Sequence, residues 1–471
     1  MFIKEVKGKF YVKDILHIFR KEPYVFCLES SLFEKKRGRY SIIGFDPFDV
    51  YRQKGDSHLD KLKEKFQQYK RSSHQGPLPF YSGIVGFMGY DYGLYQENIS
   101  FLSEDDLALP DCLFGFYDRA IIIDHLEEKL FISSSGLPEK NAILQKKRAQ
   151  RRLDDLLKRL DSYLPLSYRS NLMADSERTR GTLTSNFTKR EYKHAVQKAL
   201  NYIYSGDIYQ VNLSQRFCFT NSGKIDPVYL YQLLAVHSPS SFGVFFDAGS
   251  FRIISSSPER FLRLDNGMVH TRPMKGTRPR GINIKDDRHY KKQIKESAKE
   301  RAELLMITDL ERNDLGRVCE YGSVKVKEMR SIESYSTVYQ ATSMIEGKLR
   351  KDRDEFDLIK ATFPGGSITG CPKIRSMQII EELEPTRRGI YTGSCGYIDF
   401  SGNMDLNILI RTFVVRESDV YFQVGGGIVA DSTPDGEYEE TLVKAKAMKA
   451  ALLHSQDTSS DPIQPSARME F

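Results

Sequence analysis

The first 133 residues are cut into short runs of β-branched and aromatic residues separated by turn formers: FYVKD, YVFCLES, RYSIIGFDPFDVYR, FYSGIVGFMGYDYG, CLFGFYDRAIIIDH and KLFISSS. Runs of this length and punctuation read as strands joined by turns, and strands this closely spaced make an antiparallel sheet. Residues 138–162 read as one charged helix. Residues 163–187, LPLSYRSNLMADSERTRGTLTSNFT, are polar and lack apolar periodicity, so they read as a linker. From 188 to 453 strands alternate with longer helices, and the tail at 454–471 has the composition of a disordered segment. The expected organisation is an N-terminal region at 1–162, the linker, and a second region at 188–453.

Composition bounds the function. A chain of 471 residues, 40% apolar and 28% charged, can build two or three domains or one large two-layer unit. The net charge of +7 admits a nucleic-acid binder. The basic residues are spread out, however, apart from KKRAQRR at 146–152, which reads as the solvated face of a helix. Six cysteines are scattered with no CxxC pair, which points to a reducing compartment and to neither a disulfide frame nor a zinc knuckle. The opening MFIKEVKGKFYVKD has no apolar core of a signal peptide, and no uncharged apolar run approaches the roughly 18 residues that span a bilayer. The expectation is a soluble cytoplasmic protein.

Chemistry concentrates in the second region. DDRHYKKQIKESAKERAELLMITDLERND reads as helical and carries Glu296, Glu300 and Glu303 on one face. DSTPDGEYEETLVKAKAMKAALL reads as another helix, with Thr433 as cap and Pro434 in the first turn. Glu437, Glu440 and Lys444 share a face of it. Each pattern alone suits a solvated helix; together, two carboxylate faces could meet around Mg²⁺, which takes a few carboxylates, waters and an anionic substrate oxygen. FPGGSITGCPKIRSMQIIEEL passes from a glycine loop into a helix with Ile374, Met377 and Ile380 on an apolar stripe, and its free N–H groups suit an anion. VGGGIVADS at 424–432 allows close backbone approach. Neither is a nucleotide fingerprint.

SSSPERFLRLDNGMVHTRPMKGT reads as a hairpin. A three-residue loop at Asp265-Asn266-Gly267 pairs Leu264 with Met268 and brings Glu259 and Lys275 to one face as diagonal neighbours. A two-residue loop sends Lys275 to the other face. An acid beside an amine is either a surface ion pair or a general acid next to a nucleophile.

These segments form a co-linear set: GDIYQVNLSQRF, SPERF, RPMKGTRPRG, RAELLMITDLERNDLGRV, FPGGSITGCPK, ELEPTRRGIYTGSCGY, NILIRTF, GGGIVADS and EYEETLVKA. The set resembles the chorismate-utilising enzymes over 190–453, and LESSLFEKKRGRYSIIGFDP and GIVGFMGYDYG extend the resemblance more weakly toward the N-terminus. The resemblance implies an α+β fold of two antiparallel sheets packed as a sandwich, helices outside, with N- and C-terminal parts interleaved. It implies Mg²⁺ on Glu303 and Glu440 with Glu437 and Glu300 close by. It implies chorismate carboxylates meeting Arg411, Tyr397, Lys444 and backbone around Gly276, Thr277 and Gly426, and Glu259 as the acid that protonates the departing carbon-4 hydroxyl.

Two positions sort the family. Members that add water carry lysine at the position of Gln210; members that add ammonia carry glutamine, as here. Members that aminate carbon 2 typically read PIAGTRPRG, whereas those that aminate carbon 4 carry the lysine of this PMKGT. The resemblance therefore implies that Lys275 attacks carbon 2 as a covalent catalyst and that the product is 4-amino-4-deoxychorismate, on the way to 4-aminobenzoate and folate. The chain shows no glutaminase signature, and Cys395 in GSCGY reads as a core residue. Ammonia is expected from a separate glutamine amidotransferase subunit. Gln340 departs from the histidine common in the family, which keeps a non-catalytic chorismate- or partner-binding member as the alternative of another class. LESS resembles part of the tryptophan pocket of anthranilate synthase, while HSPSSFG lacks the second proline of the companion motif.

Overall fold

The structure is a computed structural model that describes residues 1–8, 10–31, 38–55, 59–71, 76–161, 181–221, 223, 225–281, 283–334 and 338–455. Every pairing between the strands described is antiparallel. A 12-stranded sheet runs in spatial order β1 (Phe2–Val6), β8 (Lys129–Ser134), β7 (Arg119–Asp124), β3 (Tyr40–Gly44), β2 (Phe26–Glu29), β11 (Phe242–Asp247), β12 (Arg252–Ser257), β21 (Thr412–Arg416), β22 (Asp419–Ile428), β10 (Gln210–Asn221) and β18 (Gly370–Cys371), with β9 (Gly181–Ser185) also on β10. A 10-stranded sheet runs β15 (Met274–Pro279), β17 (Val338–Lys348), β14 (Met268–Thr271), β13 (Arg260–Asp265), β20 (Met404–Asn407), β19 (Ser394–Asp399), β5 (Gly83–Met88), β6 (Cys112–Tyr117) and β4 (Asp49–Gln53), with β16 (Lys325–Ser334) also on β17. The helices are α1 (Val12–Phe19), α2 (Asp60–Gln67), α3 (Asp91–Gln96), α4 (Ala142–Asp161), α5 (Lys189–Tyr204), α6 (Pro227–His237), α7 (Ile284–Glu296), α8 (Ala298–Gly316), α9 (Glu355–Thr362), α10 (Lys373–Leu383) and α11 (Pro434–His454).

Three apolar clusters define the layers. Phe26, Ile42, Val244 and Phe246 of the first sheet meet Val85, Phe87, Leu113 and Cys395 of the second, so the two sheets pack as a sandwich. The outer face of the first sheet is covered by α1, α4, α6 and α11 through residues such as Phe19, Leu156, Leu234 and Met448. The outer face of the second sheet packs through Ile84, Phe114 and Phe116 against Phe66 of α2 and Phe356 of α9, and the same cluster takes in Met377 and Ile380 of α10. Both sheets mix strands from the two ends of the sequence. The stretch 163–187 therefore does not separate independent cores, and near its end it forms β9, paired with Phe217–Asn221 of β10. Residues 163–180 and 456–471, which carry the linker and most of the tail, lie outside the described residues.

Local chemistry explains where the reading of the sequence fails. FYVKD is the start of α1 rather than a strand, because Ile15, Leu16 and Phe19 complete an amphipathic face that is fully buried. The charged helix α4 buries Ala149, Leu153, Leu156 and Leu160 at helical spacing. In KKRAQRR only some of the run is solvated: Arg148 Nε donates to the Leu137 carbonyl at 2.9 Å, and Arg152 pairs with buried Asp118 at 2.8 Å. The long helix expected over 286–314 is two helices. Ser297, with ψ of 111°, ends α7, and its hydroxyl accepts from the Glu300 N–H at 3.3 Å to start α8. Glu296 therefore stays on α7, exposed and 3.9 Å from Lys292, apart from Glu300 and Glu303. On α10, Met377 and Ile380 are buried with Ile379 and Leu383, but Ile374 is exposed.

Candidate active site

The triple glycine of β22 is the floor of the site. Val211, Asn212, Leu213 and Ser214 of β10 pair with Ile428, Gly427, Gly426 and Gly425. A Cβ on Gly427 would stand 2.8 Å from Gln210 Nε2, and one on Gly426 would stand 3.0 Å from Glu437 Oε2 and 3.2 Å from Glu440 Oε1. Glycine is thus required for close approach on both counts. The Gln210 side chain is fully buried, yet neither its Nε2 nor its Oε1 has a hydrogen-bond partner. An unsatisfied buried amide is costly, so a polar group that folding leaves unpaired marks a ligand position. Glu437 and Glu440 reach the floor because Thr433 caps α11, accepting from the Gly436 N–H at 3.2 Å, with Pro434 in the first turn.

Lys275 arrives from the other sheet. The hairpin closes through two residues, Asn266 and Gly267, with φ of 49° and 81°, so Asp265 rather than Leu264 pairs with Met268. The closure is therefore one residue shorter than the three-residue loop. A bulge between Arg260 and Leu262 inserts one extra residue in β13 against β20. Glu259 and Lys275 nonetheless share a site, since each charge acts on the other. The carbonyl of Ser367, in the glycine loop, accepts from Lys275 Nζ at 3.1 Å. Immediately after Lys275, Gly276 has φ of 81° and forms a second bulge between Lys275 and Thr277. A Cβ there would lie 2.6 Å from Glu300 Oε2. Thr277 is exposed and pairs with buried Gln340 across the strands.

The electrostatics divide the acids by role. Burial pushes the Glu259 carboxyl up to about 7, against the opposing pull of Ser367, the Lys275 ammonium and the Met274 main chain, and its Oε1 has no hydrogen-bond partner. Burial lowers the Lys275 amine, with Lys444 acting in the same sense and Glu303, Glu259 and Glu440 against it. Burial raises Glu303 and Glu437. Burial also opposes ionisation of Glu440, but Lys444, 2.7 Å away, outweighs it and holds Glu440 below the usual carboxylate range. Lys444 also donates to the Gly425 carbonyl at 2.8 Å, so it spans strand and helix at the rim.

No group of three or more His, Cys, Asp or Glu with metal-ligand geometry occurs among the described residues. Mg²⁺ needs only one or two carboxylates when substrate and water complete its shell. Glu437 Oε2 is buried without a partner, and with Glu440 it converges on Gly426, so this oxygen donor set fits Mg²⁺. Glu303 feels the charge of Glu440, so it lies near this pair. Glu300 lies close by and acts on Glu303; its Oε1 pairs with Arg278 at 2.7 Å, while its Oε2 is buried without a partner.

Two expected substrate contacts stand apart from the carboxylates. Tyr397 shares the inward face of β19 with Cys395, between the sheets, packing on Phe80 at 5.3 Å. The charges it feels are Asp405, Arg263, Asp399 and Arg260. Tyr391, six residues earlier, is buried beside Asn212 on the Gln210 side of β10, and burial pushes its hydroxyl up to about 12. It suits the site better than Tyr397. Arg411, with φ of 51°, donates to Ser238 Oγ at 3.1 Å at the end of α6. Ser31 and Ser240 bond each other, so LESS and HSPSSFG do meet. Three participants had no individual signal in the sequence: Ser367, which acts through its carbonyl; Lys299, whose charge bears on Glu303, Glu437 and Glu440; and Glu311, buried behind Glu259. All six cysteines are free, and Cys395 is buried.

The two packed antiparallel sheets thus bring a buried glutamine, a lysine and several carboxylates together where they meet. The chorismate binding enzyme family model matches residues 28–450, and the chain belongs to that family. It is 39% identical over 445 residues to aminodeoxychorismate synthase component 1 of Bacillus subtilis (strain 168), covering 90% of this chain and 92% of the relative. It is 37% identical over 457 residues to anthranilate synthase component 1 of Acetivibrio thermocellus, covering 92% and 91%. The crystal structure of anthranilate synthase component I from Streptococcus pneumoniae TIGR4 superposes with a TM-score of 0.78 at 32% identity, covering 88% of this chain and 93% of that one. No helix among the described residues is long and apolar enough to cross a membrane.

Proposed function

We propose that the chain aminates chorismate at ring carbon 4, using ammonia, to give 4-amino-4-deoxychorismate and water. The observation that carries this reading is the Lys275 amine, desolvated and held on the Ser367 carbonyl at 3.1 Å beside Glu259, whose carboxyl burial pushes up to about 7. A nucleophilic amine must be neutral, and burial favours that form. Its nitrogen lone pair attacks carbon 2, both conjugated ring double bonds shift, and the carbon-4 C–O bond breaks. Glu259 gives its proton to the departing oxygen, which leaves as water. Ammonia then attacks carbon 4, both double bonds shift back, the carbon-2 C–N bond breaks to return the neutral lysine amine, and the new carbon-4 ammonium returns a proton to the Glu259 carboxylate. Gln210, with an unpaired carbonyl and amide, holds the incoming ammonia by accepting from it. Glu303, Glu437 and Glu440 would hold Mg²⁺, which supplies neutralising charge to the substrate carboxylates. Arg411, Lys444 and the main chain of Gly276, Thr277 and Gly426 are the further substrate contacts in this reading.

Both named relatives are first components of their synthases, which supports a separate glutamine amidotransferase as ammonia source. The product belongs to the route to 4-aminobenzoate and folate, in the cytoplasm. The test is Lys275→Ala with chorismate, Mg²⁺ and excess ammonium. Carbon-4 amination is expected to be lost. A variant that retains it in full rules out the lysine adduct.

A further inference from the structure

Beside the site, one segment carries an excess of positive charge. Residues 275–281 and 283–301 contain ten Lys and Arg against four Asp and Glu, a formal +6 of the chain's +7. This segment is β15, α7 and the first turn of α8, and it carries Lys275 at one end and Glu303 just beyond the other. Three of its acids are neutralised within it: Asp287 by Arg280 at 2.7 Å, Glu300 by Arg278 at 2.7 Å and Glu296 by Lys292 at 3.9 Å. Asp286 is bonded to Asn283 at the start of α7. Lys285, Arg288, Lys291, Lys295, Lys299 and Arg301 are exposed and have no carboxylate partner within 4.0 Å among the described residues.

The placement of these cations is fixed by packing. Ile294, the buried residue of α7, sits with Leu304, Tyr339 and Ala341, and Ala341 pairs directly with Lys275. Arg330 of β16 donates to the Lys295 and Ser297 carbonyls at 3.0 and 3.3 Å, which ties down the end of α7 and adds another positive charge. The helix is therefore fastened over the strand that delivers Lys275, with its other faces in solvent. From the same segment, Lys299 already exerts its charge on the carboxylates of the site.

We propose that α7 and its flanks form a cationic collar that gathers a dianionic small molecule into the Lys275 cleft. On the reading that the substrate is chorismate, that molecule is a dicarboxylate. Like-signed charges on the wall of a cleft raise the local concentration and association rate of an oppositely charged ligand by about 10 to 10³, an effect that falls steeply with ionic strength. At 0.1 M salt the screening length is about 10 Å, so cations near the mouth act and distant ones do not. The internal pairing of the acids keeps the collar's field single-signed.

The test uses Lys285→Glu, Arg288→Glu and Lys295→Glu together, all exposed on α7, and the corresponding triple glutamine variant. Chorismate affinity is measured by titration calorimetry with Mg²⁺ and without ammonia, at KCl from about 20 to about 500 mM, a range that takes the screening length from about 20 Å to about 4 Å. The wild-type Kd is expected to rise with salt, the glutamate triple to bind at least about tenfold more weakly at low salt, the glutamine triple to fall between, and all three to converge at high salt. Equal wild-type and glutamate-triple Kd values at low salt overturn the collar while leaving the reaction untouched. Normal chorismate binding with loss of amidotransferase-dependent turnover assigns the patch to an acidic protein partner and also overturns it. A wild-type protein that does not bind chorismate at any salt overturns the functional reading itself.

Discussion

Replacing Glu259 by glutamine should make the protein more stable and inactive. In the unfolded chain this carboxyl loses its proton near 4.5, and in the fold near about 7. Between these values the unfolded state binds fewer protons, so stability falls as pH rises, and the loss is complete above the folded value. A separation of about 2.5 at about 1.4 kcal/mol per pKa unit amounts to ~3 kcal/mol. Burial is the first cause, and the Oε1 atom has no partner to relieve it. Glutamine keeps the shape, carries no charge at any pH and escapes the penalty. Urea titrations should therefore find Glu259→Gln level with wild type near pH 4.5 and ~3 kcal/mol more stable at pH 8, while turnover falls at least about 100-fold for want of the acid. Glu311, pushed up to about 8 by burial and then by Glu259, titrates with it, so the wild-type curve should show two overlapping steps. A stability difference that stays flat from pH 4.5 to 8 would refute the claim that Glu259 is a buried neutral acid.

Three other substitutions probe the supports of the site. Gly276→Ala forces a side chain into a left-handed conformation against Glu300, so it should cost about 1–2 kcal/mol and disturb the Arg278 pair, read by thermal melting and by activity. Lys373→Met leaves Asp314, 2.5 Å from its partner and almost fully buried, without compensation; a loss of about 3–5 kcal/mol is expected, and Asp314→Leu in the same chain should restore much of it. Glu437→Gln should raise the Mg²⁺ concentration for half-activation about tenfold or more with little change in melting temperature; unchanged metal dependence would exclude Glu437 from the metal set.

How far the sequence can be read depends on the kind of contact. The glycines of β22, the capped start of α11 and the spacing of Glu437 and Glu440 on it are local signals that the fold retains, whereas Glu296 is split from Glu300 and Glu303. In the sequence, the Glu259–Lys275 proximity follows from a three-residue loop, whereas Asn266 and Gly267 both have positive φ and close a two-residue one. The bulge of β13 against β20 is likewise set by pairing and has no reliable local signature. The break at Ser297 is legible, since Ser297-Ala298-Lys299-Glu300 has the form of a helix start, but the surrounding charge pattern reads as continuous helix. Tyr397 is placed by the pairing of β19 with β5 and β20, whereas Tyr391 lies in the turn before β19, a distinction no local pattern carries. Ser367 contributes a carbonyl, which every residue possesses, so no sequence pattern could single it out.

The central claim is the position of amination. Purified protein incubated with chorismate, Mg²⁺ and excess ammonium at mildly alkaline pH, with products separated and identified by mass, tests it directly. The account predicts a product that keeps the enolpyruvyl group, carries an amine in place of the carbon-4 hydroxyl, and yields 4-aminobenzoate when a lyase is added. Anthranilate would contradict the role given to Lys275, and chorismate that stays unchanged even with an amidotransferase partner present would point to a binding protein that has lost turnover.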